Sequence, residues 1–214
     1  MNKNNLSLFT GFLLVLLFCT PTAMAASAKG DNSHARKWNQ FANDVLGLHK
    51  QLTKKLPVSK TTKLGGYAGD PDYYIQETYT HKKNGKLISI VQWEKATPKN
   101  LHAIEVYVRD KQGRVLRDYS AAYLPDYRNA PTQTLVSIHK YNGDLHAFRT
   151  YEANGDRIVE RCTGKLKDQE INFILDEDEI AHAEAGMTDV MEQADYKACF
   201  KGFPVEAGKY VTPQ

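Results

Sequence analysis

Within residues 73–175, short β-rich runs alternate with turn residues at close spacing, and this restricts the fold more than any other feature of the chain. Asn84-Gly85 lies between the runs 75–81 and 87–93, Asn142-Gly143 between 135–141 and 145–151, and Asn154-Gly155 between 145–151 and 157–162. An Asn-Gly pair suits a type I′ hairpin turn, in which both central residues need positive φ. Asp110-Lys111-Gln112-Gly113 reads as a slightly longer turn between 104–109 and 115–123, and Lys167-Asp168-Gln169-Glu170 as a last turn before 171–175. The hairpins predict an antiparallel meander of about eight strands. The turn glycines 85, 113, 143 and 155 keep no fixed period, so no internal repeat is assigned.

Helical periodicity flanks the sheet. Trp38, Phe41, Val45, Leu48, Leu52 and Leu56 recur every three or four residues and mark the apolar stripe of a helix over 33–56. Asn32 or Ser33 can cap its start, and Pro57 limits its end. The stretch 64–71, with Gly65, Gly66 and Gly69, reads as a linker into the sheet. It is no phosphate loop, because the lysine and hydroxyl of that motif are missing. After the sheet, a helical part over 179–200 opens on an acidic run with an Asp176–Glu179 capping box. Met187, Val190, Met191, Ala194 and Ala198 share one of its faces, Gly186 divides it, and Gly202 and Pro204 stop it. The fold expected is therefore α+β: one globular domain over 33–214, with a large curved antiparallel meander and both terminal helices on one face. An up-and-down β-barrel is the alternative architecture.

The first 25 residues have the order of a secretory signal peptide. Lys3 gives a positive start, residues 6–19 form an apolar run too short to span a bilayer, and Ala23-Met24-Ala25 offers small residues to a signal peptidase. Cys19 is a poor lipid acceptor because the bulky Phe18 precedes it. Cleavage after Ala25 leaves a short polar tail over 26–32, no membrane span, and an exported protein, periplasmic or extracellular. It also leaves two cysteines, Cys162 and Cys199, which an oxidising compartment would join in a disulfide.

Composition narrows the function. The formal net charge of +3 falls by one when Lys3 is removed, too little to argue for a nucleic-acid partner. Twelve tyrosines against eight prolines indicate an ordered chain. The run 176–179 lacks the alternating oxygen ligands of a calcium loop. His182, Met187 and Met191 are better read as surface and core residues than as metal ligands, and no cofactor is implied. No hydrolase motif is present around a serine or a histidine pair.

Strand alternation supplies the site prediction. Ile104, Val106 and Val108 give one strand an aliphatic face, with Tyr107 and Arg109 opposite. Arg117 with Tyr119, His139 with Tyr141, and Arg149 with Tyr151 repeat the same chemistry on three more strands. If these eight side chains share a surface, tyrosine stacking and arginine forks suit an anionic, sugar-like or peptide ligand. The expected function is a non-catalytic exported binding or interaction domain with a small-molecule, peptide or envelope-protein partner. A secreted hydrolase without a recognisable motif and a structural accessory of an envelope complex are the alternatives.

Overall fold

The structure, a computed structural model, describes residues 33–125 and 127–214. The signal peptide and the tail expected over 1–25 and 26–32 lie outside the described residues, as does Asp126.

The element order is α1 (Ser33–Lys55), β1 (Val58–Tyr67), β2 (Asp70–His81), β3 (Leu87–Glu94), β4 (Leu101–Arg109), β5 (Val115–Ala122), β6 (Gln133–Asn142), β7 (Leu145–Glu152), β8 (Arg157–Leu166), β9 (Gln169–Asp176), α2 (Glu177–Glu184) and α3 (Ala194–Phe200). Single 3₁₀ turns lie at Val190–Glu192 and Gly208–Val211. The strands form one antiparallel sheet in sequential order, β1 to β9. The sheet is open and does not close into a barrel.

The sheet starts earlier than the sequence pattern indicates. Residues 64–71 are not a linker but the end of β1, the turn and the start of β2, with Gly65 opposite Tyr74. The glycines serve close approach. A Cβ on Gly65 would strike the Tyr74 ring, and one on Gly66 would strike the backbone at Asp70 and Pro71. The Asn-Gly turns also differ from expectation. Each asparagine keeps negative φ, and positive φ falls on the glycine alone. Asn142 pairs with Leu145, leaving Gly143-Asp144 as a two-residue turn. At 153–155 a three-residue loop ends on Gly155. The turn with two positive-φ residues is Lys167-Asp168, closed by the Leu166–Gln169 pair.

One face of the sheet carries the helices. Phe41, Ala42, Val45, Leu48 and His49 of α1 are buried across β3 to β6, over Val91, Ile104, Val106, Ala121 and Val136. Trp38 and Leu52 are half-buried, and Leu56 lies beyond the helix, 37% exposed. The same face carries α3, where Tyr196, Cys199 and Phe200 are buried. Cys162 of β8 and Cys199 of α3 form a disulfide. The acidic run does build the capping box: Asp176 accepts from the Glu179 backbone N–H, and Glu179 accepts from that of Asp176. The helical part then breaks, because Gly186 takes positive φ, and Met187 is exposed rather than on a core stripe.

Candidate functional site

The eight residues expected to form one Tyr/Arg/His surface divide between the two faces of the sheet. Directly paired residues of neighbouring strands share a face. Val106 pairs with Tyr119 and Val108 with Arg117, so Tyr119 and Arg117 point to the helix-covered face. Tyr119 pairs with Val136, Val136 with Tyr151 and Ile138 with Arg149, which places Tyr151 and Arg149 there too. Tyr107, Arg109, His139 and Tyr141 point the other way. The expectation of a single surface is thus corrected. Alternation within a strand was right, but the phase of one strand against the next depends on turn length and on bulges such as the register shift between Val108 and Arg109.

Three of the four helix-side residues, Arg117, Arg149 and Tyr151, fasten the C-terminal segment. Arg149 is buried, and its Nε lies 2.6 Å from Oε1 of the fully buried Glu160. Tyr196 donates to Glu160 Oε2 at 2.7 Å, and Arg157 Nη1 lies 3.1 Å from Oε1. Arg149 Nη1 and the Tyr151 hydroxyl both donate to the Pro204 carbonyl at 2.8 Å. Arg149 also stacks over the Phe200 and Phe203 rings. Arg117 donates to the Gln214 oxygen at 2.9 Å and lies over the Tyr210 ring, while buried Tyr119 packs against Phe41. Arg149 and Tyr151 are partnered and internal, which is how a core accepts arginine.

On the helix-free face, Asp118 and His146 join the expected residues in a chain of polar groups. Asp118 Oδ2 lies 2.6 Å from His139 Nε2, and His139 Nδ1 lies 2.9 Å from His146 Nε2. Tyr141 stacks on His146 at 4.6 Å, and the Arg114 guanidinium lies 4.7 Å from the Tyr141 ring centre. Tyr107 donates to Glu105 at 2.7 Å, and Arg109 sits near its ring. Desolvation lowers the His146 pKa, and His139 and Arg161 add to the effect. The chain can pass a proton, but it lies on an open sheet face rather than in a hollow. Among the described residues, no group of three or more His, Cys, Asp or Glu side chains is placed to hold a metal ion.

A spacious hollow lies at the sheet end where β2 begins and β3 finishes. Its volume is about 850 Å³, and its lining includes Tyr67, Tyr73, Asp70, Asp72, Glu94 and Thr97. Tyr67 and Tyr73 meet edge to face at 5.7 Å. Behind them is the buried ring of His102, which accepts from or donates to the Tyr67 hydroxyl through Nε2 at 2.5 Å and stacks on Tyr74. Its Nδ1 has no hydrogen-bond partner among the described residues. Burial lowers the His102 pKa, Glu94 opposes that shift and Arg128 adds to it. Glu94 is held by Arg128 at 2.9 Å, by the Tyr73 hydroxyl at 3.1 Å and by Asn100 at 2.8 Å. Lys95 pairs with Asp72 at 3.1 Å. Pro125 and Arg128 bring the β5–β6 connection against this hollow.

Sequence reasoning missed this site because its members come from four separate segments. The Tyr73-Tyr74 doublet beside Asp70 and Asp72 was the available signal. No family model, curated protein or solved structure matches this chain.

Proposed function

We propose that the chain is an exported, non-catalytic binding domain and that its ligand is a neutral, polyhydroxylated, sugar-like molecule held in the cleft beside Tyr67 and Tyr73. The cleft carries this reading. Its volume of about 850 Å³ is within the usual range for small-ligand sites, and it joins aromatic walls to a few convergent polar groups. Tyrosine faces suit the C–H faces of a sugar ring, and carboxylates accept hydrogen bonds from hydroxyls. Asp70, Asp72 and Glu94 disfavour an anionic ligand. Binding is favoured over hydrolysis because Glu94, the buried carboxylate of the cleft, is already engaged by Arg128, the Tyr73 hydroxyl and Asn100, which leaves it occupied by structural contacts rather than free to act on a ligand. Export is supported by the leader-like residues 1–25 and by the disulfide.

Saturation-transfer NMR and calorimetry against a panel of neutral, amino and acidic saccharides test the proposal. A neutral sugar is expected to bind, and Tyr67→Ala and Asp72→Asn should each weaken it about tenfold, in line with loss of one stacking or charged hydrogen-bond partner. If no saccharide binds at millimolar concentration, or if both variants bind as the parent does, the cleft is not the site.

A further inference from the structure

A second hollow lies at the opposite end of the same strands. Its volume is about 340 Å³. Leu52 and Leu56 from the end of α1 form an apolar floor with Ile88 of β3 and Val108 of β4. The rim is cationic. Lys86 and Arg109 line it, and their hydrogen bonds go to the uncharged backbone carbonyls of Leu87, Gln112 and Gly113. Exposed lysines extend the charge from three segments: Lys54 and Lys55 in the last turn of α1, Lys82 and Lys83 in the β2–β3 loop, and Lys111 in the β4–β5 loop. The one carboxylate in the lining, Asp110, is already paired with Arg114 at 2.7 Å. The small net charge of the whole chain hides this local excess, which the up-and-down topology creates by placing alternate turns at one end.

We infer that this end docks on an anionic lipid surface, with the lysines facing the headgroups and the Leu52–Leu56 floor meeting the acyl boundary. Unpaired cations alone would suit any polyanion. The exposed leucine and the apolar floor at their centre favour an amphiphile, because a free phosphate or a nucleic-acid backbone gains nothing from that surface. Three carboxylates of the opposite end, Asp72, Glu94 and Glu184, are already taken up by Lys95, Arg128 and Arg157, which reduces the pull of that end on these lysines; exposed Asp70, Glu177 and Asp178 remain there, so a second copy is the competing outcome of the test. The twelve residues of β2 separate the two hollows by roughly 35 Å at the usual rise per strand residue. A docked molecule would therefore carry its acidic cleft away from the bilayer, and the two sites do not depend on each other.

Vesicle sedimentation tests the inference with the processed chain beginning at Ala26, which keeps the whole described core and removes the apolar leader. The vesicles are phosphatidylcholine alone, or phosphatidylcholine with about one third phosphatidylglycerol, in about 50 mM salt. Partition is expected to be at least about tenfold greater onto the anionic vesicles and to collapse in about 0.5 M salt. The double substitution Lys82→Glu with Lys83→Glu should reduce it about tenfold or more. Leu56→Ser should reduce it severalfold, while Tyr67→Ala in the distant cleft should not change it. All these positions are exposed, and an unchanged thermal midpoint verifies the fold of each variant. Equal partition onto both vesicles, or full binding by the double variant, overturns the proposal. So does full competition by inorganic polyphosphate with Leu56→Ser silent, which would identify a soluble polyanion as the ligand, or a shift to dimers without vesicles, which would identify a second copy.

Discussion

Individual buried histidines tie the stability of this protein to pH. His49 is buried under α1, its Nδ1 2.8 Å from the Ser89 hydroxyl and its ring edge-on to Tyr79. Burial lowers its pKa below 6.5, with Glu77 opposing and Lys50 reinforcing the shift. His102 is lowered from 6.5 chiefly by burial as well. The unfolded chain protonates these rings near 6.5, whereas the folded chain resists, so the unfolded state binds more protons as the pH falls. Their stabilising effect is complete above about 6.5 and is lost progressively below it. The urea midpoint should therefore fall between about pH 7.5 and pH 5, and His49→Gln should flatten that dependence. A midpoint that rises with acidity would contradict the assignment. Glu77 behaves differently: burial alone would raise its pKa, yet hydrogen bonds from Lys60, Tyr79 and Trp93 keep it low. The Tyr79 hydroxyl, desolvated and donating to that carboxylate, is pushed up to about 12.

At the scale of elements, α1 matters through its middle rather than its ends. Phe41 and Val45 are almost fully enclosed by the sheet, while Trp38 and Leu52 are half-buried. Phe41→Ala should destabilise by about 3–5 kcal/mol, the range for removing a buried aromatic ring, and Leu56→Ser should leave the denaturation midpoint almost unchanged. Chemical denaturation of both variants checks the contrast. The segment 201–214 has little regular structure, yet it is held by donors from β5, β6 and β7: Arg117, Lys140, Arg149 and Tyr151 all donate to its carbonyls. Arginine and tyrosine thus serve as internal fasteners for an irregular strand end, a role that alternation patterns do not distinguish from ligand recognition.

For the whole molecule, the disulfide pins the C-terminal helix α3 onto the late strands of the helix-covered face. It joins β8 to α3 across 37 positions, and closing such a loop stabilises by about 4 kcal/mol in the chain-entropy model, before any strain. Export and oxidation are checked together. The chain recovered from outside the cytoplasm should begin at Ala26 by intact mass and show no free thiol when denatured without reductant. Two titratable thiols, or a retained leader, would contradict that history. Among the described residues, no helix is long and apolar enough to cross a membrane.

Local rules were sufficient for much of this. Turn residues, strand alternation and the 3–4 spacing of α1 are written within stretches of a few residues, so the antiparallel meander, the flanking helices and the capping box could be read directly from the chain, whereas the Cys162–Cys199 pairing was expected from the leader-like start and the count of cysteines left after it. Even there, neighbours corrected details: 64–71 became a hairpin because Gly65 passes over Tyr74. The sites were not legible in the same way. Whether Tyr119 faces α1 or solvent depends on a bulge of one residue between strands, and one residue of register reverses the face of every side chain. The cleft beside Tyr67 and the cationic hollow beside Leu56 each gather residues from segments far apart in sequence. Periodicity within a strand carries no information about its phase relative to the next, and that phase was decided only when the nine strands were laid side by side.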